Sequence, residues 1–202
     1  MASVYDLKPR FQNLLRPLCR ALARAGITAN QVTISAVLLS LAEGTAIFLT
    51  QGARWALLLL PVMLFIRMAL NAIDGMLARE FGQKSRLGAV LNELGDVVSD
   101  TALYLPFAVI PGLPALLVAL VVVLAVMTEM TGVVAIQIGA NRRYDGPLGK
   151  SDRALWFGIL AVVLAVSDVA GDITTVLLVV MVYAGLQTIF NRARAALKES
   201  GS

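Results

Sequence analysis

Asn71–Asp100 reads NAIDGMLAREFGQKSRLGAVLNELGDVVSD and joins two apolar runs that still carry Asn71, Asp74, Asn92, Glu93, Asp96 and Asp100. Ionisable groups inside a membrane-type run are costly, face the protein interior and mark functional positions. Gly75, Ala78 and Gly88 stand beside these residues at helical spacing, which leaves the backbone open to a bulky ligand. The stretch therefore reads as an oxygen-rich, metal-dependent site at a membrane interface.

Outward from this stretch, the chain is built for a bilayer. Of its 202 residues, 58% are hydrophobic and only 15% are charged, which identifies an all-α membrane protein. The length suits one domain, 1–202, with an interfacial helix at 4–25 and a six-helix bundle at 31–190. Tyr5–Arg24 alternates Leu7, Phe11, Leu14, Leu18 and Leu22 with Arg16, Arg20 and Arg24, the pattern of an amphipathic helix lying in the headgroup layer. Six apolar segments follow, at Gln31–Thr50, Trp55–Arg79, Ser85–Ile110, Pro114–Ala140, Arg153–Ser167 and Asp172–Phe190. Pro61 predicts a kink rather than a break. The connection Asp168–Gly171 is short, Gly132 and Gly139 read as close helix packing, and Ala193–Ser202 as a fraying helix end.

Charge sets the expected orientation. Lys8, Arg10, Arg16, Arg20 and Arg24 precede the first segment; Arg79, Lys84 and Arg86 flank the second connection. Arg142, Arg143, Lys150 and Arg153 mark the fourth, and Arg192, Arg194 and Lys198 the tail. The alternate connections carry only Arg54. The positive-inside rule then places both termini and the site at the cytoplasmic face, most simply of a bacterial inner membrane. The net charge of +4 follows from this topology and anionic lipid, and no nucleic-acid partner is expected. With no histidine and one cysteine, Cys19, imidazole chemistry, an intrachain disulfide and a multi-cysteine metal site are excluded. A metal must be held by oxygen, which selects a hard cation such as Mg²⁺ or Mn²⁺.

Arg67, Asn71, Asp74 and Ala78 share one helix face, as do Ser85, Gly88, Asn92, Asp96 and Asp100. Two segments joined by so short a connection run antiparallel, so these faces can converge. Asp74 and Asp96, with the amide oxygens of Asn71 and Asn92, then offer up to four side-chain ligands for a cation that would clamp a diphosphate.

These residues resemble the signature of the CDP-alcohol phosphotransferase family, D-x-x-D-G-x-x-A-R, eight residues, then G-x-x-x-D-x-x-x-D. Here it reads Asn71-x-x-Asp74-Gly75-x-x-Ala78-Arg79, eight residues, Gly88-x-x-x-Asn92-x-x-x-Asp96. The resemblance implies six spans after an interfacial helix, a homodimer, and transfer of a phosphoalcohol group from a CDP-linked donor, often CDP-diacylglycerol, to an alcohol with release of CMP. By position, Asn71, Asp74, Asn92 and Asp96 fall where the family binds two metal ions, and Asp96 where it deprotonates the acceptor. Gly75, Ala78, Arg79, Ser85, Gly88 and the turn Thr28, Ala29, Asn30, Gln31 fall about the CDP moiety. The departures are Asn71 and Asn92, which replace aspartates and remove two negative charges. An active phosphotransferase of phospholipid biosynthesis is the leading reading; a silent nucleotide- or lipid-binding relative and a transporter are the alternatives. The transporter reading lacks an inverted repeat.

Two further expectations concern charge. By rise along a helix, Arg67 lies about 18 Å from Arg79, with Glu43, Asp100 and Glu129 at similar depth in their own segments, which predicts a buried ion network around Arg67. The polar segment Asn141–Arg153 is the expected acceptor or phosphate contact through Arg142, Arg143, Lys150 and Arg153.

Overall fold

A computed structural model describes residues 4–167 and 171–201, with side chains from residue 11 onward. The first three residues of the connection Asp168–Gly171 lie outside the described residues, as do the side chains of Tyr5, Leu7, Lys8 and Arg10. Everything described is helix, turn or coil, with no strand. Seven α-helices are described: α1 Val4–Arg24, α2 Ala29–Thr50, α3 Arg54–Glu80, α4 Arg86–Tyr104, α5 Ala115–Gln137, α6 Lys150–Val166 and α7 Asp172–Glu199. Four of them, α2, α3, α5 and α7, are long and apolar enough to cross a membrane.

Two boundaries differ from expectation for identifiable reasons. The segment Ser85–Ile110 is not one helix: α4 stops at Tyr104 and a 3₁₀ stretch, Leu105–Val109, follows. Pro106 has no N–H to offer the carbonyl of Ala102, and it disfavours helical geometry at Leu105. Pro61, by contrast, lies within an unbroken α3. The tail does not fray, because α7 continues to Glu199: Ala196 packs with Ala135 and Ala140, and Glu199 accepts from the backbone and side chain of Asn141 and pairs with Arg143.

The chain divides into two compact units, Met1–Leu41 with Val62–Ser99 and Ala42–Pro61 with Asp100–Ser202. In the first, Cys19 of α1 is buried against Ala29, Val32, Ile73, Met76 and Leu77, with Leu15, Leu22 and Ala23 packed around it. Arg16 pairs with Glu80 at 3.2 Å, which holds α1 to the end of α3. Cys19 is a free thiol, and burial pushes its pKa up, with Glu80 adding to the effect; it is a packing group.

In the second unit α5 packs on α7, and Tyr104 stacks on Phe157 with ring centroids 4.1 Å apart. Gly44 faces the Ala102 carbonyl so closely that a Cβ there would overlap its oxygen. That is the carbonyl Pro106 leaves without a helical donor. Gly132 makes room both for the chain after α5 and for α7: its carbonyl accepts from Arg143 N–H at 3.2 Å, and a Cβ there would stand 2.6 Å from the Arg143 carbonyl oxygen and 3.3 Å from Arg192 Nη1. Gly139, with φ +85° and open space around its Cβ position, ends α5 as a left-handed cap instead of packing helices.

Candidate active site

The signature residues lie in the first unit, on α3 and α4, with α2 packed beside them. On α3, Asp74 is only 5% exposed, and its Oδ2 accepts from Thr33 Oγ1 of α2 at 2.8 Å. A buried carboxylate needs such a donor, because desolvation without hydrogen bonding would expel the charge. Thr33 also touches α4, where its methyl stands 3.4 Å from the Cβ position of Gly95. α2 is thereby held against both acidic helices by one threonine.

Farther along α3, Arg67 is 5% exposed and reaches Asp96 of α4. Its Nη2 donates to the Asp96 backbone carbonyl at 3.2 Å and stands 3.6 Å from Oδ1. The two acidic helices meet at this contact. Asn71 is half-buried and Asn92 exposed. Among the described residues, no three acidic, histidine or cysteine side chains gather closely enough to hold a metal ion.

Around these residues the polar turns are locked in place. Thr28 N–H donates to Gln31 Oε1 at 2.9 Å and Gln31 N–H to Thr28 Oγ1 at 3.2 Å, a reciprocal cap at the start of α2. Gln83, from the connection between α3 and α4, accepts from Ala29 N–H at 2.7 Å and donates to the Ile27 carbonyl at 3.4 Å. Asn30 Oδ1 and Ser85 Oγ lie 2.8 and 3.0 Å from the Cβ position of Gly88, and Ser85 Oγ accepts from Gly88 N–H at 2.9 Å, capping α4. Any side chain at 88 would displace both oxygens. Arg79, exposed at the end of α3, lays its guanidinium over Gly75, 2.8 Å from where a Cβ would stand. Ala78, half-buried, packs on the Cys19 cluster.

The structure thus brings together Asp74 with Thr33, Asp96 with Arg67, Gly75 with Arg79, and Asn30 with Ser85 and Gly88. Thr28, Ala29 and Gln31 hold the turn itself. Thr33 and Gln83 complete these contacts without a signature in the sequence. A lone threonine in an apolar helix carries a weak signal, and a loop glutamine none.

In the basic segment of the second unit, Arg153 differs from expectation. It is 1% exposed. Its five donors are all taken: Nε and one Nη2 hydrogen by Asp100 Oδ2 at 2.9 and 2.8 Å, the other Nη2 hydrogen by Glu129 at 2.9 Å, and Nη1 by Thr128 Oγ1 and the Leu148 carbonyl, each at 3.1 Å. A guanidinium has five N–H donors, so Arg153 has none for a substrate phosphate. It is the centre of a buried ion network. Asp100 and Glu129 converge on it, and Arg192 joins at 3.6 Å from Glu129. Glu43, 2% exposed, keeps Oε1 without a hydrogen-bond partner.

Arg142 pairs with Glu129 at 3.1 Å and covers the Tyr144 ring at 4.5 Å. Arg143 forks onto Asp145 at 2.8 and 2.9 Å and reaches Glu199 at 2.6 Å; these hydrogen bonds hold the Asp145 carboxyl below the usual carboxylate range. Lys150 is the half-buried first residue of α6.

Comparison with known proteins decides the family. The chain matches the CDP-alcohol phosphatidyltransferase family over residues 26–195. It belongs to that family. By family it is a CDP-alcohol phosphotransferase and an integral membrane protein of phospholipid synthesis. Among its relatives is the inner membrane protein YnbA of Escherichia coli, 46% identical over 96% of both chains. An archaetidylinositol phosphate synthase of Pyrococcus horikoshii is 31% identical over 48% of this chain and 49% of that one. The fold matches Mycobacterium tuberculosis phosphatidylinositol phosphate synthase, solved with CDP-DAG bound, at a TM-score of 0.76 and 22% identity over 92% of this chain and 94% of that chain. The same synthase has been solved with manganese and citrate, at a TM-score of 0.75.

Proposed function

We propose that this CDP-alcohol phosphotransferase moves the phosphatidyl group of CDP-diacylglycerol to an alcohol acceptor, releasing CMP at the cytoplasmic face of a bacterial inner membrane. The observation that carries this reading is the unbroken spacing of Asp74, Gly75, Arg79, Gly88 and Asp96 on helices that Thr33 and Arg67 draw together in one unit. Asp96 takes the proton of the acceptor hydroxyl. The resulting oxygen attacks the phosphorus that carries diacylglycerol, forming one P–O bond as the bond to CMP breaks. Arg79 beside Gly75, with Asn30 and Ser85 beside Gly88, orients the CDP group. Exposed Lys84 and Arg86, flanking the N-terminus of α4, attract its phosphates.

The donor set fits a hard divalent cation, Mg²⁺ or Mn²⁺: two carboxylates, Asp74 and Asp96, two amide oxygens, Asn71 and Asn92, and no soft ligand. Such an ion supplies charge stabilisation to the diphosphate and the departing CMP when bound. We read the bundle as six spans behind α1 in the headgroup layer, with both termini cytoplasmic, and the molecule as a homodimer.

The test is CMP release from CDP-diacylglycerol by the purified chain with a panel of alcohols. Wild type should release CMP with at least one acceptor, and Asp96→Asn should lower the rate by about 10²-fold or more. No release from any acceptor, with CDP still bound, would leave a nucleotide-binding relative without turnover.

A further inference from the structure

From the geometry around Asp96 we infer that this site holds a single divalent cation and that the guanidinium of Arg67 occupies the electrostatic place of a second. The inference rests on the proposed function in locating the cation among Asn71, Asp74, Asn92 and Asp96. It goes beyond that reading in fixing how many ions the site takes.

Three observations lead to it. First, Asn71 and Asn92 contribute oxygens without charge, so the four side chains carry only the two negative charges of Asp74 and Asp96. Second, Arg67 is buried, donates to the Asp96 carbonyl at 3.2 Å and stands 3.6 Å from its carboxylate. A positive charge is therefore already built into one side of the site. Third, no three acidic side chains approach closely enough among the described residues to form a richer cage. Glu93, one position from Asn92, is turned about 100° around α4.

Electrostatics then separates the two acids. A divalent ion near Asp96 would face the fixed guanidinium, and like charges a few ångströms apart repel by more than a factor of ten in affinity even at an effective dielectric of about 20. Asp74 accepts from the Thr33 hydroxyl at 2.8 Å. One ion centred on Asp74, with coordination completed by amide oxygens and donor phosphates, satisfies the charge available. Arg67 compensates the charge a second metal would otherwise balance. It is a positioning residue.

Metal stoichiometry tests this directly. Purified full-length chain in detergent, with CDP present, is titrated with Mn²⁺; bound ions are counted, and electron paramagnetic resonance reports whether any two are exchange-coupled. Wild type should bind one Mn²⁺ per chain with an uncoupled spectrum. Asn71→Asp combined with Asn92→Asp and Arg67→Gln should bind two with a coupled spectrum. Arg67→Gln alone should tighten Mn²⁺ binding by about tenfold, whereas Arg67→Lys, which keeps the charge, should not.

Two coupled ions in wild type, no bound Mn²⁺, or Mn²⁺ affinity unchanged in a folded, CDP-binding Arg67→Gln would overturn the inference. CMP release measured on the same samples separates the two readings. One ion without turnover would sink the proposed function alone, and turnover with two coupled ions would sink only the inference.

Discussion

Arginine 153 shows how a residue's chemistry depends on what folds around it. Its place at the start of a helix in a basic segment points to a phosphate, yet its five donors end on Asp100, Glu129, Thr128 and Leu148. Removing one partner of such a buried pair strands the others. Arg153→Met should destabilise the protein by about 3–5 kcal/mol in detergent unfolding, and adding Asp100→Asn should cost less than the sum of the two single changes. Asp145 gives the exposed counterpart. Hydrogen bonds from Arg143 hold its folded pKa below the ordinary value of 3.8, so the stabilisation is complete above the unfolded pKa and is lost as pH falls through the lowered one. Asp145→Asn should therefore reduce the melting midpoint slightly at pH 7, with the difference shrinking as pH falls through the unfolded and then the lowered folded pKa. The charges themselves are legible in the sequence, and helical rise brings Asp100 and Glu129 to similar depth. Arg153 is not legible as their centre, because it lies 53 and 24 positions away and only packing joins them.

At the scale of elements, the pattern of apolar and polar residues locates every described α-helix and misses where two of them end. The Leu105–Pro106 step that ends α4 is visible in the sequence, but the apolar run continues through it to Ile110 and masks the break. The freed Ala102 carbonyl is covered by Gly44 of α2. Gly44→Ala should consequently destabilise the protein by about 1–3 kcal/mol, as overpacking against rigid backbone does; a thermal shift matching an ordinary surface substitution would contradict the close approach. The length of α7 is hidden for the opposite reason. Its last turns look polar and terminal, and they are held by Arg192, Ala196 and Glu199 through partners distant in sequence. By contrast, the cap Thr28-x-x-Gln31 that begins α2 is local and can be read directly.

For the molecule as a whole, the spacing of the signature is enough to point to the family, because four-residue and three-residue steps map onto helix faces without tertiary information. What spacing cannot supply is the environment of each acid: Thr33 on Asp74 and Arg67 on Asp96. Those two contacts tie α2 to Asp74 and α3 to Asp96. The central claim is that the two acids serve a cation-assisted transfer from CDP-diacylglycerol. It is tested most directly by CMP release from the purified chain, in the presence of a productive acceptor, before and after removal of divalent ions by a chelator. Release should fall to background with chelator and return when Mg²⁺ or Mn²⁺ is added in excess; release that persists unchanged after chelation would contradict a cation-assisted transfer.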